Sequence, residues 1–263
     1  MEWLAYLGIG ALVGFAAGLL GIGGGIVMVP LLVFVFAATG MATDHVLHVA
    51  LGTALAAMVF TSLSSMRAHH AHGAVDWKIA RAMSPGMLAG SFGAALAAGF
   101  IPTRPLAIGF TAIVFYAATQ ILLDLRPHSS RELPRAPGLF AAGAVIGAVS
   151  SLLAAGGAFL TIPFLAWCQV PLRRAIGTAA ANGLPIAIAG TAGYVINGLR
   201  AEGLPAMSVG YVYLPALALI TTTSMLLAPM GARLAHRLPV KRLRQIFALM
   251  LYGFAIKMLT GLW

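Results

Sequence analysis

An all-α membrane protein built from two inverted four-segment repeats is the fold this sequence predicts, and three observations predict it. Hydrophobic residues make up 60% of the chain and charged residues only 8%, against roughly 25% charged in a soluble domain. A glycine run, Gly21-Ile22-Gly23-Gly24-Gly25 ahead of Pro30, returns as Ala154-Ala155-Gly156-Gly157-Ala158 ahead of Pro163. The Lys and Arg residues segregate to one side of a bilayer only if the first and fifth apolar segments turn back on themselves.

Eight apolar segments follow one another at 3–36, 46–66, 79–99, 105–123, 138–167, 174–196, 207–229 and 243–262, most near the ~20 residues that cross a bilayer. Met1-Glu2-Trp3 opens straight into the first with no basic stretch before it. That segment is therefore expected to be retained rather than cleaved as a signal peptide. The first and fifth segments are the long ones and carry the glycine breaks. Backbone exposed by such a break is tolerated in lipid only where protein or a watery cavity surrounds it. Cys168 is the sole cysteine, so it forms no internal disulfide and is expected as a packed thiol near a helix end.

The second half echoes the first. At an offset of 133, Gly10, Gly14, Leu19, Leu20, Gly23, Gly24 and Pro30 fall on Gly143, Gly147, Leu152, Leu153, Gly156, Gly157 and Pro163. At 125, Gly52-Thr53-Ala54 falls on Gly177-Thr178-Ala179; at 130, Gly73 and Pro85 fall on Gly203 and Pro215; at 137, Pro102 falls on Pro239. The expected division is a first repeat at 1–125, a cytoplasmic linker at 126–137 and a second repeat at 138–263, all in one integral membrane domain.

Charge decides how the halves relate. Eight single crossings with the N-terminus outside would put eight Lys and Arg residues inside and seven outside, which breaks the positive-inside bias. With segments one and five as re-entrant hairpins, the count becomes thirteen inside and two, Arg104 and Arg200, outside. Each half then crosses an odd number of times, so the second is inverted relative to the first and both termini lie outside. Lys257 falls within the last segment and belongs to neither tally. The net charge of +10 thus reports orientation and not a nucleic-acid partner.

Beyond each glycine turn a short helix is expected, from near Ile26 and near Phe159, with Pro30 and Pro163 in its early turns. Its uncapped amides and positive dipole end make an anion site that needs no buried cation. Gly23, Gly24, Gly25, Gly156 and Gly157 are the candidate cradle, whereas Gly10, Gly14 and Gly18, spaced four apart, read as a helix-packing seam. Thr53 and Thr178 can donate to an anionic oxygen or bond back to their own helix carbonyls. Asn182, one turn past Thr178, can contact substrate or join two helices. His48 and Arg173, five residues before their threonines, stand at opposite mouths, where the ordinary roles are a helix-end histidine and an inside anchor; His48 also leaves a proton-coupling role open. Gln120 and Lys257 coincide at the 137 offset and are further candidates for coupling, with snorkelling the competing role of Lys257.

His69, His70 and His72 form a basic loop and no metal site, since no Cys or carboxylate cluster completes one. The six acids, Glu2, Asp44, Asp76, Asp124, Glu132 and Glu202, all lie at ends or connectors. Without a mid-membrane carboxylate the chain is ill suited to a metal cation, and without paired carboxylates or a nucleophile with its base it does not read as an enzyme. No cofactor or metal is expected. The expected partners are a small anion, a coupling proton or other ion, and the lipid bilayer.

GLLGIGGGIVMVPLL at 18–32, its echo SLLAAGGAFLTIPFL at 151–165 and the two Gly-Thr pairs resemble the sulfite exporter TauE/SafE family of membrane transporters, over nearly the whole chain. The resemblance implies secondary transport of small sulfur-containing anions, such as sulfite, sulfoacetate, other organosulfonates or thiosulfate, across a bacterial inner membrane. The alternatives weighed against it are a passive anion channel, a carboxylate transporter and a membrane-embedded enzyme. Ala154 and Ala158 replace Gly21 and Gly25 in the second copy, so the two half-sites need not be equal.

Overall fold

The computed structural model describes residues 2–20, 24–41, 44–123, 132–235 and 240–261. Within them the eight apolar segments become ten helices, because both glycine breaks divide a segment in two. The first segment gives α1 (Glu2–Leu20) and α2 (Gly25–Ala38); the fifth gives α6 (Ala136–Leu152) and α7 (Ala158–Trp167). Between and after them run α3 (Val46–Ala71), α4 (Trp77–Ala98), α5 (Thr103–Leu123), α8 (Leu172–Gly198), α9 (Leu214–Ala235) and α10 (Val240–Gly261).

One element departs from the all-helical expectation. The seventh segment opens as a two-stranded antiparallel ribbon, β1 (Ser208–Val209) and β2 (Val212–Tyr213), and turns helical only at Leu214. Gly210 makes the turn at φ +56° with its Cα pressed on the Val195 backbone of α8, where a side chain would not fit.

Every residue of α3 from 47 to 58 is buried, as expected of a helix apolar on all sides. It packs against α8, and these two are, among the described residues, long and apolar enough to cross a bilayer. Around this pair the packing comes in matched sets: α1 on α9 and α6 on α4, α2 on α3 and α7 on α8, with α5 against α10. Small residues let the backbones touch. Gly10 and Gly14 lie on Ile220, Thr223 and Ser224 of α9, while Gly143 and Gly147 lie on Met83 and Met87 of α4. This is the close-approach seam of membrane helices.

These contacts correct one offset. Gly143 meets Met83 as Gly10 meets Ile220, and Gly177 meets Ala74 as Gly52 meets Tyr211; both comparisons give a spacing of 137 where the glycine and proline matches gave 130. Gly73, Gly203 and Gly210 all take positive φ. The change in spacing goes with extra chain between α8 and α9, residues 199–213, which holds the ribbon; α3 and α4 are joined by residues 72–76 alone.

The outside of the bundle is apolar as well. Leu4, Val145, Leu226 and Leu249 are each more than 60% exposed, a surface suited to hydrocarbon and costly in water. Cys168 caps the C-terminus of α7 and is buried.

Candidate functional site

The second break can be followed atom by atom. After α6, the N–H of Ala155 donates to the carbonyl of Ser150 at 2.9 Å, and the N–H of Gly157 to that of Ala155 at 2.7 Å. Ala154 takes a left-handed φ of +48°, which strains a residue with a Cβ by about 1 kcal/mol. Gly157, at φ 72° and ψ −24°, is the N-cap of α7 and has no side-chain cap. Its carbonyl accepts the N–H groups of Leu160 and Thr161 at 3.1 and 2.8 Å, so the amides of Ala158 and Phe159 lack an intrahelical acceptor, as at any helix start.

Gly21, Ile22 and Gly23 lie outside the described residues. Gly24 repeats the geometry of Gly157 with φ 65° and ψ −19°, again without a side-chain cap, at the start of α2. Its carbonyl accepts from Val27 and Met28 at 3.2 and 3.1 Å. Both helices begin one residue ahead of the expected Ile26 and Phe159, and in both the proline is the sixth helical residue. At that depth it removes the N–H that would have paired with the carbonyl of Ile26 or Phe159. Gly24, Gly25, Gly156 and Gly157 are all buried.

The two breaks touch. A Cβ on Gly25 would overlap the Ala154 carbonyl oxygen, so the first residue of α2 rests on the strained turn of the other half. Next to it, α8 approaches at Gly183, where a Cβ would stand 3.1 Å from the Gly156 carbonyl and 2.9 Å from Ser62 Oγ.

The hydroxyls of the two Gly-Thr pairs are engaged as acceptors, a role not considered from sequence alone. Thr53 Oγ1 accepts the N–H of Tyr213 at 3.0 Å, and Thr178 Oγ1 accepts the N–H of Asp76 at 3.0 Å. A Cβ on Gly52 or Gly177 would overlap the carbonyl of Tyr211 or Ala74. Each pair therefore clasps the connector of the opposite half, and each hydroxyl keeps its proton to donate elsewhere.

Asn182 is fully buried; its Nδ2 faces Met83 Sδ at 3.8 Å, and Oδ1 has no partner among the described residues. His48 is buried, with Nε2 3.0 Å from the Ala98 carbonyl and its ring 5.1 Å from that of Tyr211. Arg173 is exposed and donates to the His72 carbonyl at 2.9 Å, which ties α8 to the connector before α4. Gln120 is half-buried on α5, while Lys257 is exposed on α10 with Nζ 4.0 Å from the Phe34 ring centre, a cation–π contact. His69 and His70 lie in the last turn of α3 and His72 is its C-cap, rather than in a loop; Trp77 Nε1 donates to His70 Nδ1 at 3.1 Å, and His72 Nδ1 lies 2.8 Å from the Ala68 carbonyl.

Sequence reasoning missed the hydroxyls around the second break. Ser150, Ser151 and Thr161 are fully buried, and their hydroxyls have no partner among the described residues, whereas most buried polar atoms in proteins are paired. A Cβ on Gly157 would stand 3.7 Å from Thr161 Oγ1 and 4.0 Å from Ser150 Oγ. Both hydroxyls thus lie beside the N-cap of α7, and Ile186 Cδ1 stands nearer still, 2.6 Å from the same point. A Cβ on Gly190 of α8 would stand 3.0 Å from Ser151 Oγ and 3.1 Å from Ser91 Oγ. The one available signal was the contrast between copies: at the 133 offset these hydroxyls answer to Ala17, Gly18 and Met28.

Comparison with known proteins gives a consistent picture. The family described as Sulfite exporter TauE/SafE matches residues 6–258. A probable membrane transporter protein of Haemophilus influenzae is 34% identical over 95% of this chain and 95% of its own. One of Methanocaldococcus jannaschii is 27% identical over 90% of this chain and 87% of its own, and the probable membrane transporter protein YdhB of Bacillus subtilis is 29% identical over 71% and 76%. No solved structure matches the chain.

Proposed function

We propose, from the premise that this chain belongs to the sulfite exporter TauE/SafE family, that it is a secondary transporter of small sulfur-containing anions, of the sulfite, sulfoacetate, organosulfonate or thiosulfate class. Membership makes it a membrane transporter; the substrate class and the mechanism are our reading. The observation that carries it is the pair of buried, uncapped helix starts at Gly24 and Gly157, which bring backbone amides and positive dipole ends together at one place. A buried helix end without a capping partner calls for one, and an anion is the partner whose charge matches.

In this reading the two halves, 1–125 and 138–263, are inverted repeats joined by a cytoplasmic linker at 126–137. α1–α2 and α6–α7 are hairpins that enter from opposite faces of a bacterial inner membrane and meet near its midplane. The matched packing of the helices, with α1 on α9 and α6 on α4, supports the duplication, and the thirteen-to-two distribution of basic residues supports the opposed insertion. Both termini then lie on the outer side. Alternating access follows if one half rocks against the other around the shared site, with a proton or another ion driving uphill flux.

The test is flux into proteoliposomes with sulfite, sulfoacetate, taurine, thiosulfate, sulfate and short carboxylates as competing solutes. We expect saturable transport of a sulfur oxoanion, made uphill by an imposed gradient of a second ion. Selective transport of carboxylates would overturn the substrate class, and flux that only ever runs downhill would overturn secondary transport.

A further inference from the structure

The two helix starts share a backbone geometry and the place of their prolines and differ in the side chains around them. At α2 the first residue rests on the Ala154 carbonyl oxygen, a partial negative charge beside the helix start. The neighbouring side chains are Ile26, Met28 and Val29, all buried. At α7, Thr161 Oγ1 and Ser150 Oγ, both fully buried and unpartnered among the described residues, stand 3.7 and 4.0 Å from the place a Cβ on Gly157 would take, with the Ile186 Cδ1 methyl nearer at 2.6 Å. Asn182 precedes Gly183, the residue by which α8 approaches the Gly156 carbonyl, and its amide has an unpartnered Oδ1 and a weak sulfur acceptor, Met83 Sδ, at Nδ2. Rotation about its last torsion exchanges the two, so either a donor or an acceptor can face the site. The equivalent residue of α3 is Ala57.

Resting on the anion-transport reading above, we propose that the charged head of the substrate is seated at one end only, the α7 start, and that Thr161 and Ser150 are its hydroxyl donors beside the amides of Ala158 and Phe159. Such a seat takes a singly charged oxoanion head. Residues 136–172, which span α6, the break and α7, contain no Lys, Arg, His, Asp or Glu, and neither do residues 175–198 of α8 or residues 82–98 of α4. Every donor is therefore a neutral dipole. The stabilisation a dipole gives grows in proportion to the charge of the ion, whereas the cost of stripping its water grows as the square of that charge. With two hydroxyls and two amides to set against that cost, a monoanion is favoured over a dianion.

An unpartnered buried hydroxyl destabilises the empty protein, and exchanging it for a methyl, as in Thr161→Val, or deleting it, as in Ser150→Ala, removes that cost. A hydroxyl kept for a ligand and one kept for the fold thus give opposite signs. The experiment uses the full-length protein in detergent, with thermal melting and titration calorimetry against methanesulfonate, sulfate and acetate, and compares Thr161→Val, Ser150→Ala and Thr111→Val. Thr111 carries an equally unpartnered buried hydroxyl on α5 and is the control. We expect the parent protein to prefer methanesulfonate to sulfate by about ten-fold or more, and Thr161→Val and Ser150→Ala each to lose about ten-fold in methanesulfonate affinity. Their ligand-free melting temperatures should equal or exceed the parent's, and Thr111→Val should bind as the parent does. Parent-like affinity in both Thr161→Val and Ser150→Ala overturns the seat and leaves the transport reading standing. A preference for sulfate overturns the single-charge assignment. A parent protein that binds none of the three anions overturns the seat together with the anion reading beneath it.

Discussion

The starts of α2 and α7 agree in φ and ψ to within a few degrees, in the absence of a side-chain cap and in the place of their prolines. They disagree in chemistry: at one, Gly25 abuts a backbone carbonyl; at the other, Gly157 has two unpartnered hydroxyls beside it as well as the Ile186 methyl. The two starts share a backbone geometry and differ in the side chains around it. The contrast teaches that a helix start supplies a dipole wherever it occurs, but that its surroundings decide whether the dipole is spent on the protein itself or offered to a solute.

The largest expected effect tests what the two starts share. Gly24→Val and Gly157→Val both place a β-branched side chain at positive φ, a genuine outlier. Each should abolish transport, by at least about 100-fold if the start must be held within an ångström or so, as measured by proteoliposome flux at matched membrane content. Retained flux in either variant would break the symmetry of the cradle.

A second pair separates the two starts. Gly25→Ala drives a methyl into the Ala154 carbonyl and should destabilise the protein by about 1–3 kcal/mol through overpacking. The matching Ala158→Gly, on a helix that already accepts a methyl there, should cost no more than about 1 kcal/mol. Denaturant melts of the two side by side decide it, and equal losses would mean that α2 is no more tightly covered than α7.

The clasps give a third, smaller contrast. Thr53→Val leaves the Tyr213 N–H unpaired in a buried setting and should cost about 1–3 kcal/mol. Thr178→Val exposes the Asp76 N–H in a half-buried one, and its loss should fall below that of Thr53→Val in the same thermal melts. At the small end, Arg174→Ala breaks a 3.9 Å pair with Asp76 in which the arginine side chain is 62% exposed. Its effect on melting should stay within about 1 kcal/mol.

Much of the architecture was legible because hydropathy and glycine are strong signals. The apolar segments and the two broken ones follow from bilayer thickness and from the cost of glycine inside a helix, and the helix starts beyond the breaks fell one residue from expectation. The ribbon at 208–213 was not legible, since Val209, Tyr211, Val212 and Tyr213 read as the first turn of a membrane helix. Matching glycines and prolines by identity misaligned α4 with α9, whereas the structure aligns them by which backbone each glycine must touch. Thr53 and Thr178 stood out by repetition, but their partners lie 160 and 102 residues away, beyond the reach of any local pattern. Ser150 and Thr161 were hidden for the opposite reason: serine and threonine in apolar helices commonly bond to their own carbonyls, and only the fold reveals that these two do not.

The crossed threonine clasps bear on how the chain is made. Thr53 waits for Tyr213, which the ribosome adds 160 residues later, and Gly52 waits with it for the Tyr211 carbonyl. The earlier clasp, Thr178 on the Asp76 amide, closes as soon as α8 is in place. Biogenesis therefore ends in an interlock rather than in two finished halves docking. If the chain is cut in the linker and its fragments are produced together, each will complete the other, while either fragment alone will carry an open socket that quality-control proteases can find.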